Sequence, residues 1–137
     1  MNSNDDKRIE YGVINVRKET CKNPYFRKEI WTGEHLQITV MSIPPGGEIG
    51  LEFHEDLDQI LCVEYGIGSV YMGKSKAGVK FVGDADCDSA IVIPAKTWHN
   101  VLNEQSTPLK LFSVYAPPQH PIGTIHKTKF DSDLAEV

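Results

Sequence analysis

The chain has 137 residues, with 14 Lys and Arg against 19 Asp and Glu, which gives a formal net charge of −5 at pH 7. This length suits one domain with one core, and 40% hydrophobic with 24% charged residues excludes a wholly disordered chain. An acidic chain with scattered lysines lacks the basic surface that binds nucleic acid, so we expect no nucleic-acid partner.

The apolar segments are too short for a membrane helix, since none approaches the roughly 18–20 residues that a span requires. The N-terminal sequence MNSNDDKRIE is polar throughout and contains no signal-peptide segment, so we expect a cytoplasmic protein with no membrane partner. The three cysteines, Cys21, Cys62 and Cys87, are odd in number and form no C-x-x-C pair. This spacing predicts neither a disulfide framework nor a cysteine-based zinc site.

Short strands separated by turn residues dominate the chain, and helical periodicity is almost absent. The turn sequences PPGG at 44–47 and GIG at 66–68 are the clearest breaks. Alternating and β-branched residues predict strands at 36–43, 49–54, 59–65, 69–72, 79–82, 90–93, 99–102 and 109–115. Regular short spacing of this kind is typical of a β-sandwich or a closed barrel rather than of βαβ units.

The two ends of the chain differ from this pattern. Residues 1–10 are polar and predicted to be loose, and residues 131–137 are predicted to form a frayed tail. Residues 116–121 contain three prolines and must be extended. No repeat or linker divides the sequence, so we expect residues 1–137 to form a single domain with its core at about 36–115.

Polar residues with metal-ligand chemistry lie in two separate segments. Glu52 and His54 are two positions apart on a predicted strand, so both side chains point to the same face. Gln59 opens the next strand after a short turn, and His99 follows a turn far downstream. If these strands lie opposite one another, the four side chains converge inside a barrel.

The spacing of these residues resembles the two sequence motifs of the cupin superfamily, and of its short single-domain members. The first motif, G-x5-H-x-H-x4-E-x6-G, falls on Gly46, Glu52, His54, Gln59 and Gly66. The second, G-x5-P-x-G-x2-H-x3-N, falls on Asp88, Pro94, Lys96, His99 and Asn103. The resemblance implies an all-β fold: a single jelly-roll (double-stranded β-helix) barrel, with an N-terminal arm and a C-terminal strap.

The chain departs from these motifs at four positions. Glu52 stands at the first histidine position, and Gln59 stands at the glutamate position. Asp88 and Lys96 replace two glycines, so the second turn must tolerate a side chain at each place. The resemblance therefore implies a ligand set of Glu52, His54, Gln59 and His99, whose single negative charge leaves a divalent ion at a net +1.

Two histidines and one carboxylate form the ligand set of the non-haem Fe(II) facial triad, and the same set suits Zn, Mn or Ni. The expected cofactor is therefore a divalent metal ion. The alternative is that Glu52 and Gln59 form hydrogen bonds across a polar barrel interior that binds no metal.

The expected function is that of a small metalloenzyme, of isomerase or dioxygenase type, acting on a small polar molecule such as a sugar or keto acid. Glu52 is the candidate catalytic residue, since a carboxylate can move a proton. The alternative is a non-catalytic module that binds or senses a small molecule. Apolar outer strand faces, with Phe53, Ile60 and Trp98 as candidates, predict a homodimer.

The C-terminal segment 116–129 contains His120 and His126 and resembles a tail found in some short cupins. Such a tail can fold over the barrel mouth and contribute a side chain to a substrate. A surface strap with exposed histidines is the interpretation that the sequence favours.

Overall fold

The computed structural model describes residues 8–135. These residues form nine strands and two short helices. They are α1 Val16–Lys22, β1 Arg27–Thr32, β2 Gln37–Ile43, β3 Asp58–Tyr65, β4 Gly68–Gly73, β5 Lys80–Ala85, β6 Ala90–Ile93, β7 Trp98–Leu102, β8 Leu109–Ala116, β9 Ile125–His126 and α2 Lys129–Ala135.

The strands form two antiparallel sheets, and the hydrophobic core lies between them. One sheet has six strands in the order β6-β3-β8-β2-β1-β9, and the other has three in the order β5-β4-β7. Side chains from both sheets share one core cluster, with Ile43, Leu61 and Leu109 from the larger sheet and Val70 and Val101 from the smaller. The predicted all-β jelly roll is therefore confirmed.

The inside of the barrel changes from apolar to polar along the strands of the larger sheet. On β8 the buried positions are Leu109, Leu111, Ser113 and Tyr115, in that order. The strand register pairs Tyr115 with a buried glutamine on each neighbouring strand, Gln37 and Gln59. Since buried polar groups require partners, the polar end of the barrel is where a ligand site is expected.

The predicted strand at 49–54 is wrong in detail. This segment runs beside β7 but contacts it only through isolated bridges, Glu48 with Leu102 and Glu52 with His99. Gly50 interrupts the ladder with a φ of 108°, and its N–H donates to the Asn100 side chain instead of to a backbone carbonyl. The segment is therefore an irregular edge, although Glu52 still occupies a paired position.

Four elements lie outside the predicted barrel core at 36–115. β1 and β9 extend the larger sheet at its edge, and α1 packs against β8, β2 and β3. α2 forms where we expected a frayed tail at 131–137, of which residues 136 and 137 lie outside the described residues. The predicted loose end at 1–10 lies largely outside them too. The two helices have seven residues each, which is too short for a clear helical period.

Both motif glycine positions that carry a side chain have a left-handed backbone. Asp88 has a φ of 81° and Lys96 a φ of 65°. Asparagine and aspartate tolerate this conformation better than lysine does, so the strain is greater at Lys96. The turn keeps the glycine conformation although the glycines are absent.

We expect Lys96→Gly to raise the free energy of unfolding by about 0.5–1 kcal/mol, because it relieves this strain. Lys80→Gly is the matched control, since Lys80 is exposed in β5 and has no positive φ. The control should lose a similar amount. Urea denaturation measures both, and a loss of stability in Lys96→Gly would show that the turn is unstrained.

Candidate metal centre

The backbone places two candidate ligands directly opposite each other. Glu52 and His99 exchange two backbone hydrogen bonds, each of 2.9 Å, across the isolated bridge. His54 follows two residues later, and its carbonyl accepts a 2.8 Å hydrogen bond from the N–H of Lys96. The second motif turn thus holds the first motif strand, and both histidines face the same space.

The side chains of Glu52, His54 and His99 converge. One ligand atom from each lies within 4.8 Å of the others. Nε2 of His54 and Nε2 of His99 are each 3.7 Å from Oε1 of Glu52, which is too far for a hydrogen bond. Within residues 8–135, neither buried Nε2 atom has a hydrogen-bond partner. Three polar atoms with metal-ligand chemistry therefore lie close together without hydrogen bonds to one another.

The tautomer of His99 follows from its other ring nitrogen. Nδ1 lies 3.0 Å from the carbonyl oxygen of Thr97, and a carbonyl can only accept, so Nδ1 carries the hydrogen. The lone pair of Nε2 then faces the carboxylate of Glu52. Two acceptors that face each other need a proton or a metal ion between them, and metal-bound histidines commonly show this backbone contact. The donor set therefore fits a divalent metal ion.

Glu52 is held in its ionised form. Burial would raise the pKa of this carboxyl, but the imidazoles of His54 and His99 and the charge of Arg27 outweigh burial. The pKa therefore lies well below its usual range. Nη2 of Arg27 is 4.0 Å from Oε2 of Glu52, on the side away from the two histidines' contacts with Oε1. Glu52 thus offers a negative charge to an ion at any pH near neutrality.

Gln59 lies at the polar end of the barrel, as expected from its place at the start of β3. Its side chain is buried, and Nε2 donates a 2.9 Å hydrogen bond to Oγ of Ser113. Oε1 has no hydrogen-bond partner within the part of the chain that the structure describes. Because this hydrogen bond holds the amide nitrogen, Oε1 is the atom of Gln59 that remains available to a metal ion. The assignment of Gln59 as a fourth ligand stays a prediction.

Other residues near the candidate ligands have structural contacts of their own. Asp58 faces away from Gln59, and its carboxylate accepts from the N–H of Ala95 at 2.9 Å. Trp98 stacks on Phe53 outside the barrel, with ring centroids 5.0 Å apart. Asn103 is buried and closes its turn by donating to the carbonyls of residues 43, 44 and 107. None of the four is a ligand candidate.

Arg27 is the site residue that sequence reasoning missed. It lies on β1 and is 1% exposed, and its guanidinium reaches Glu52. Nη1 donates to Oγ of Ser132 at 2.6 Å and to Nδ1 of His126 at 3.2 Å. The sequence signal was weak, because Arg27, Lys28 and Glu29 are three consecutive charged residues, and it is their burial in β1 that shows Arg27 and Glu29 to face inward.

The C-terminal strap, defined here as residues 117–135, closes the polar end of the barrel. Gln37 anchors it, because Oε1 accepts from the N–H groups of Gln119 and His120 and Nε2 donates to the carbonyl of His120. Nε2 of His120 lies 3.3 Å from the hydroxyl of Tyr115. The interpretation of the strap histidines as simply exposed is wrong, since His120 and His126 are both half-buried.

Burial of His120 has a consequence for stability. Burial and the nearby charge of Arg27 lower the pKa of His120 from 6.5 to about 3, although Glu52 opposes them. The unfolded chain therefore binds a proton at a higher pH than the folded protein does. The contribution of the neutral His120 ring to stability is therefore complete above about pH 6.5. It is lost as the pH falls towards the pKa of His120 in the folded protein.

For protein kept metal-free with a chelator, we expect the free energy of unfolding to fall by about 1–2 kcal/mol between pH 6.5 and 4.5, after allowance for partial exposure of the ring. The carboxylates whose pKa is lowered affect stability mainly below this pH window, because their pKa in the unfolded chain is 4.5. His120→Gln should show a smaller fall, and His35→Gln, at an exposed histidine, should behave as the parent. Equal slopes in all three proteins would contradict this assignment.

An antiparallel jelly roll with a candidate metal centre at its polar end is the class of protein that the fold and the site define. The family model described as Cupin domain matches residues 39–115. The chain belongs to this cupin family.

Three relatives show how far this similarity extends. YrkC of Bacillus subtilis (strain 168) is 53% identical over 124 residues, which cover 90% of this chain and 67% of YrkC. L612 of Acanthamoeba polyphaga mimivirus is 43% identical over 114 residues, covering 82% of this chain and 69% of L612. The crystal structure of BH2720 from Bacillus halodurans has a TM-score of 0.88 at 52% identity and covers 90% of this chain and 93% of its own.

The described residues contain no helix that is both long and apolar enough to cross a membrane.

Proposed function

We propose that the protein is a metalloenzyme that binds one divalent ion through Glu52, His54 and His99, with Gln59 as a neutral fourth ligand. It acts on a small polar molecule such as a sugar or keto acid. The observation that carries this proposal is the pair of buried imidazole Nε2 atoms that face Glu52 with no hydrogen-bond partner in residues 8–135. Buried polar atoms without partners are costly unless a ligand satisfies them.

The ligand set limits the metal and the reaction. Two histidines and a carboxylate suit Fe, Mn, Zn or Ni. When bound, such an ion would polarise a substrate oxygen as a Lewis acid, which suits an isomerase. A redox-active ion would also activate O2, which suits a dioxygenase.

The protein groups near this ion have different roles. Glu52 stays ionised, which favours its role as an anionic ligand over the predicted role of proton carrier, since a proton carrier needs a pKa near the working pH. The buried hydroxyl of Tyr115 and the imidazole of His120 form a hydrogen-bonded pair beside the site. Burial raises the pKa of Tyr115, so the hydroxyl keeps its proton and can hold a substrate oxygen as a donor.

The second candidate is a non-catalytic module that binds or senses a small molecule. The ion pair between Glu52 and Arg27 favours it, because a carboxylate fixed in its charged form leaves the first motif without a group that exchanges protons. The fold is shared by both candidates and does not separate them.

Elemental analysis of the purified protein tests the metal, and turnover assays of the metal-loaded protein separate the two candidates. We expect close to one equivalent of Fe, Mn, Zn or Ni. Product formation from a sugar or keto acid supports the enzyme, whereas saturable binding without turnover supports the binding module. Absence of metal after incubation with all four ions would contradict both the metal centre and the enzyme.

We also propose a homodimer. Ile60 and Val92 are paired across β3 and β6 on the outer face of the larger sheet, and they are 42% and 61% exposed. A second copy that covers this apolar pair would remove it from water. We expect sedimentation at high micromolar concentration to show a dimer that Ile60→Asp dissociates. Phe81→Asp, at an exposed residue of the smaller sheet, should leave the dimer intact, and a monomeric parent would contradict the proposal.

A further inference from the structure

The C-terminal strap, residues 117–135, covers the polar end of the barrel where the candidate metal centre lies. Nε2 of His120 in the strap is 3.3 Å from the hydroxyl of Tyr115. Tyr115 and His99 are each 1% exposed, and Nε2 of His54 is buried as well. The strap therefore engages the Tyr115 hydroxyl and closes it to solvent, so a ligand can contact this hydroxyl once the strap moves.

Little apolar surface holds the strap on the barrel. Within residues 117–135, which the structure describes throughout, Ser132 is the one buried residue, and the core cluster contains no strap side chain. A cavity of about 320 Å³ lies between residues 127–129 of the strap and Phe26 and Pro44 of the barrel side. The large apolar side chains of the strap are 48–68% exposed, namely Ile122, Ile125, Phe130 and Leu134. Hydrophobic burial, the main source of folding stability, therefore contributes little here.

Polar contacts to buried side chains of the barrel hold the strap instead. Oε1 of Gln37 accepts from the N–H groups of Gln119 and His120 at 3.0 and 2.9 Å, and its Nε2 donates to the carbonyl of His120 at 2.7 Å. Oε1 of Glu29 accepts from the N–H of Gly123 at 2.9 Å. Water replaces such hydrogen bonds when a segment leaves, so each has a modest net effect on stability. These are the features of a segment that opens before the rest of the protein unfolds.

We propose that the strap is a lid, which detaches from the barrel as a unit and admits ligands to the candidate metal centre, and that Gln37 is the residue that holds it closed. Opening separates His120 from Tyr115 and makes the Tyr115 hydroxyl available to a ligand. Closing over a bound molecule excludes water from the site. The opening depends on the strap contacts alone, whereas the role in ligand admission rests on the proposed metal centre.

Hydrogen exchange of the metal-free parent, resolved by residue with NMR, tests the opening. The amides of Gln119, His120 and Gly123 donate to barrel side chains, so they exchange when the strap detaches. We expect these three to have similar protection, at least about 100-fold below that of Leu111, which is paired on both sides in β8. Protection equal to that of Leu111 would mean that only global unfolding releases the strap, and it would overturn the lid.

A variant of Gln37 tests whether the strap opens as a unit. Gln37→Met removes the amide with little change in volume and should speed exchange of all three strap amides at least about tenfold. This includes Gly123, although its own partner Glu29 is unchanged. Gln105→Met is the control, because Gln105 is exposed in the turn between β7 and β8, and it should exchange as the parent does. Unchanged exchange at Gly123 in Gln37→Met would contradict a unit. If Gln37→Met does not fold, the protection in the parent still decides the lid.

Binding of 4-nitrocatechol, a coloured ligand for metal ions, to the zinc-loaded protein tests admission. If opening limits entry, the stopped-flow binding rate of the parent levels off at high probe concentration, and this limiting rate should be at least about fivefold higher in Gln37→Met. Gln105→Met should match the parent. A parent that takes up no zinc contradicts the metal centre, and hydrogen exchange then decides the lid alone. Equal rates in zinc-loaded parent and Gln37→Met would overturn the role in admission.

Discussion

Replacing either His54 or His99 by alanine is expected to lower metal affinity at least about tenfold. Losses of this size are common even for groups that only orient a metal ligand, and these two imidazoles face the ion position directly. Their Nε2 atoms are buried without hydrogen-bond partners in residues 8–135. Each replacement therefore removes a metal-ligand atom that the alanine side chain does not replace. Competition with a coloured chelator measures the change.

The pH dependence of the same titration gives an independent check. Protons compete with the metal for the imidazole nitrogens, so occupancy of the parent should fall as the solution becomes more acidic. His35→Ala is the control, because His35 is exposed and lies outside the site. Unchanged affinity in both alanine variants would show that the two histidines do not bind the metal.

Glu52→Gln is expected to cause the larger loss. It leaves a divalent ion facing four neutral ligands, and it also removes the carboxylate that lies 4.0 Å from Arg27. The buried guanidinium would then repel the ion without the opposing charge of Glu52, so the loss should exceed that of either histidine variant. Metal titration and thermal unfolding together measure the affinity and any cost to the fold.

Gln59→Glu is the matched opposite change. It places a second carboxylate at the polar end of the barrel, where Gln59 is buried beside Ser113, and should bind metal at least as tightly as the parent. It should also weaken the capture of an anionic ligand, because the added charge cancels part of the site's positive charge. Parent-like affinity in Glu52→Gln would show that Glu52 is not a ligand.

The regular strands and the convergence of the ligand triad could be predicted from the sequence. Alternating or β-branched residues mark most strands of the barrel, and β6 at Ala90–Ile93 has the predicted bounds. The spacing of Glu52 and His54 put both on one face, and the distant His99 pairs directly with Glu52. Local periodicity carries the strand positions and the shared face of Glu52 and His54, whereas the approach of His99 is what the resemblance to the cupin motifs implied.

The role of Arg27 could not be predicted in this way. Its partners Ser132 and His126 are 105 and 99 residues away along the chain. Such contacts depend on how the strap packs, and no local pattern encodes that. The irregular segment before His54 was missed for a related reason, because Gly50 alone does not show that its N–H pairs with a side chain of β7.

The most direct test of the metal centre is an anomalous diffraction measurement on crystals of the protein grown with Mn or Zn. We expect one strong anomalous peak bounded by the Glu52 carboxylate and Nε2 of His54 and His99, with Oε1 of Gln59 as the fourth protein ligand. Anomalous density without Gln59 in contact would remove the fourth ligand and keep the triad. An absence of density between Glu52 and the two histidines, at metal concentrations that saturate the protein in solution, would contradict the assignment of this site.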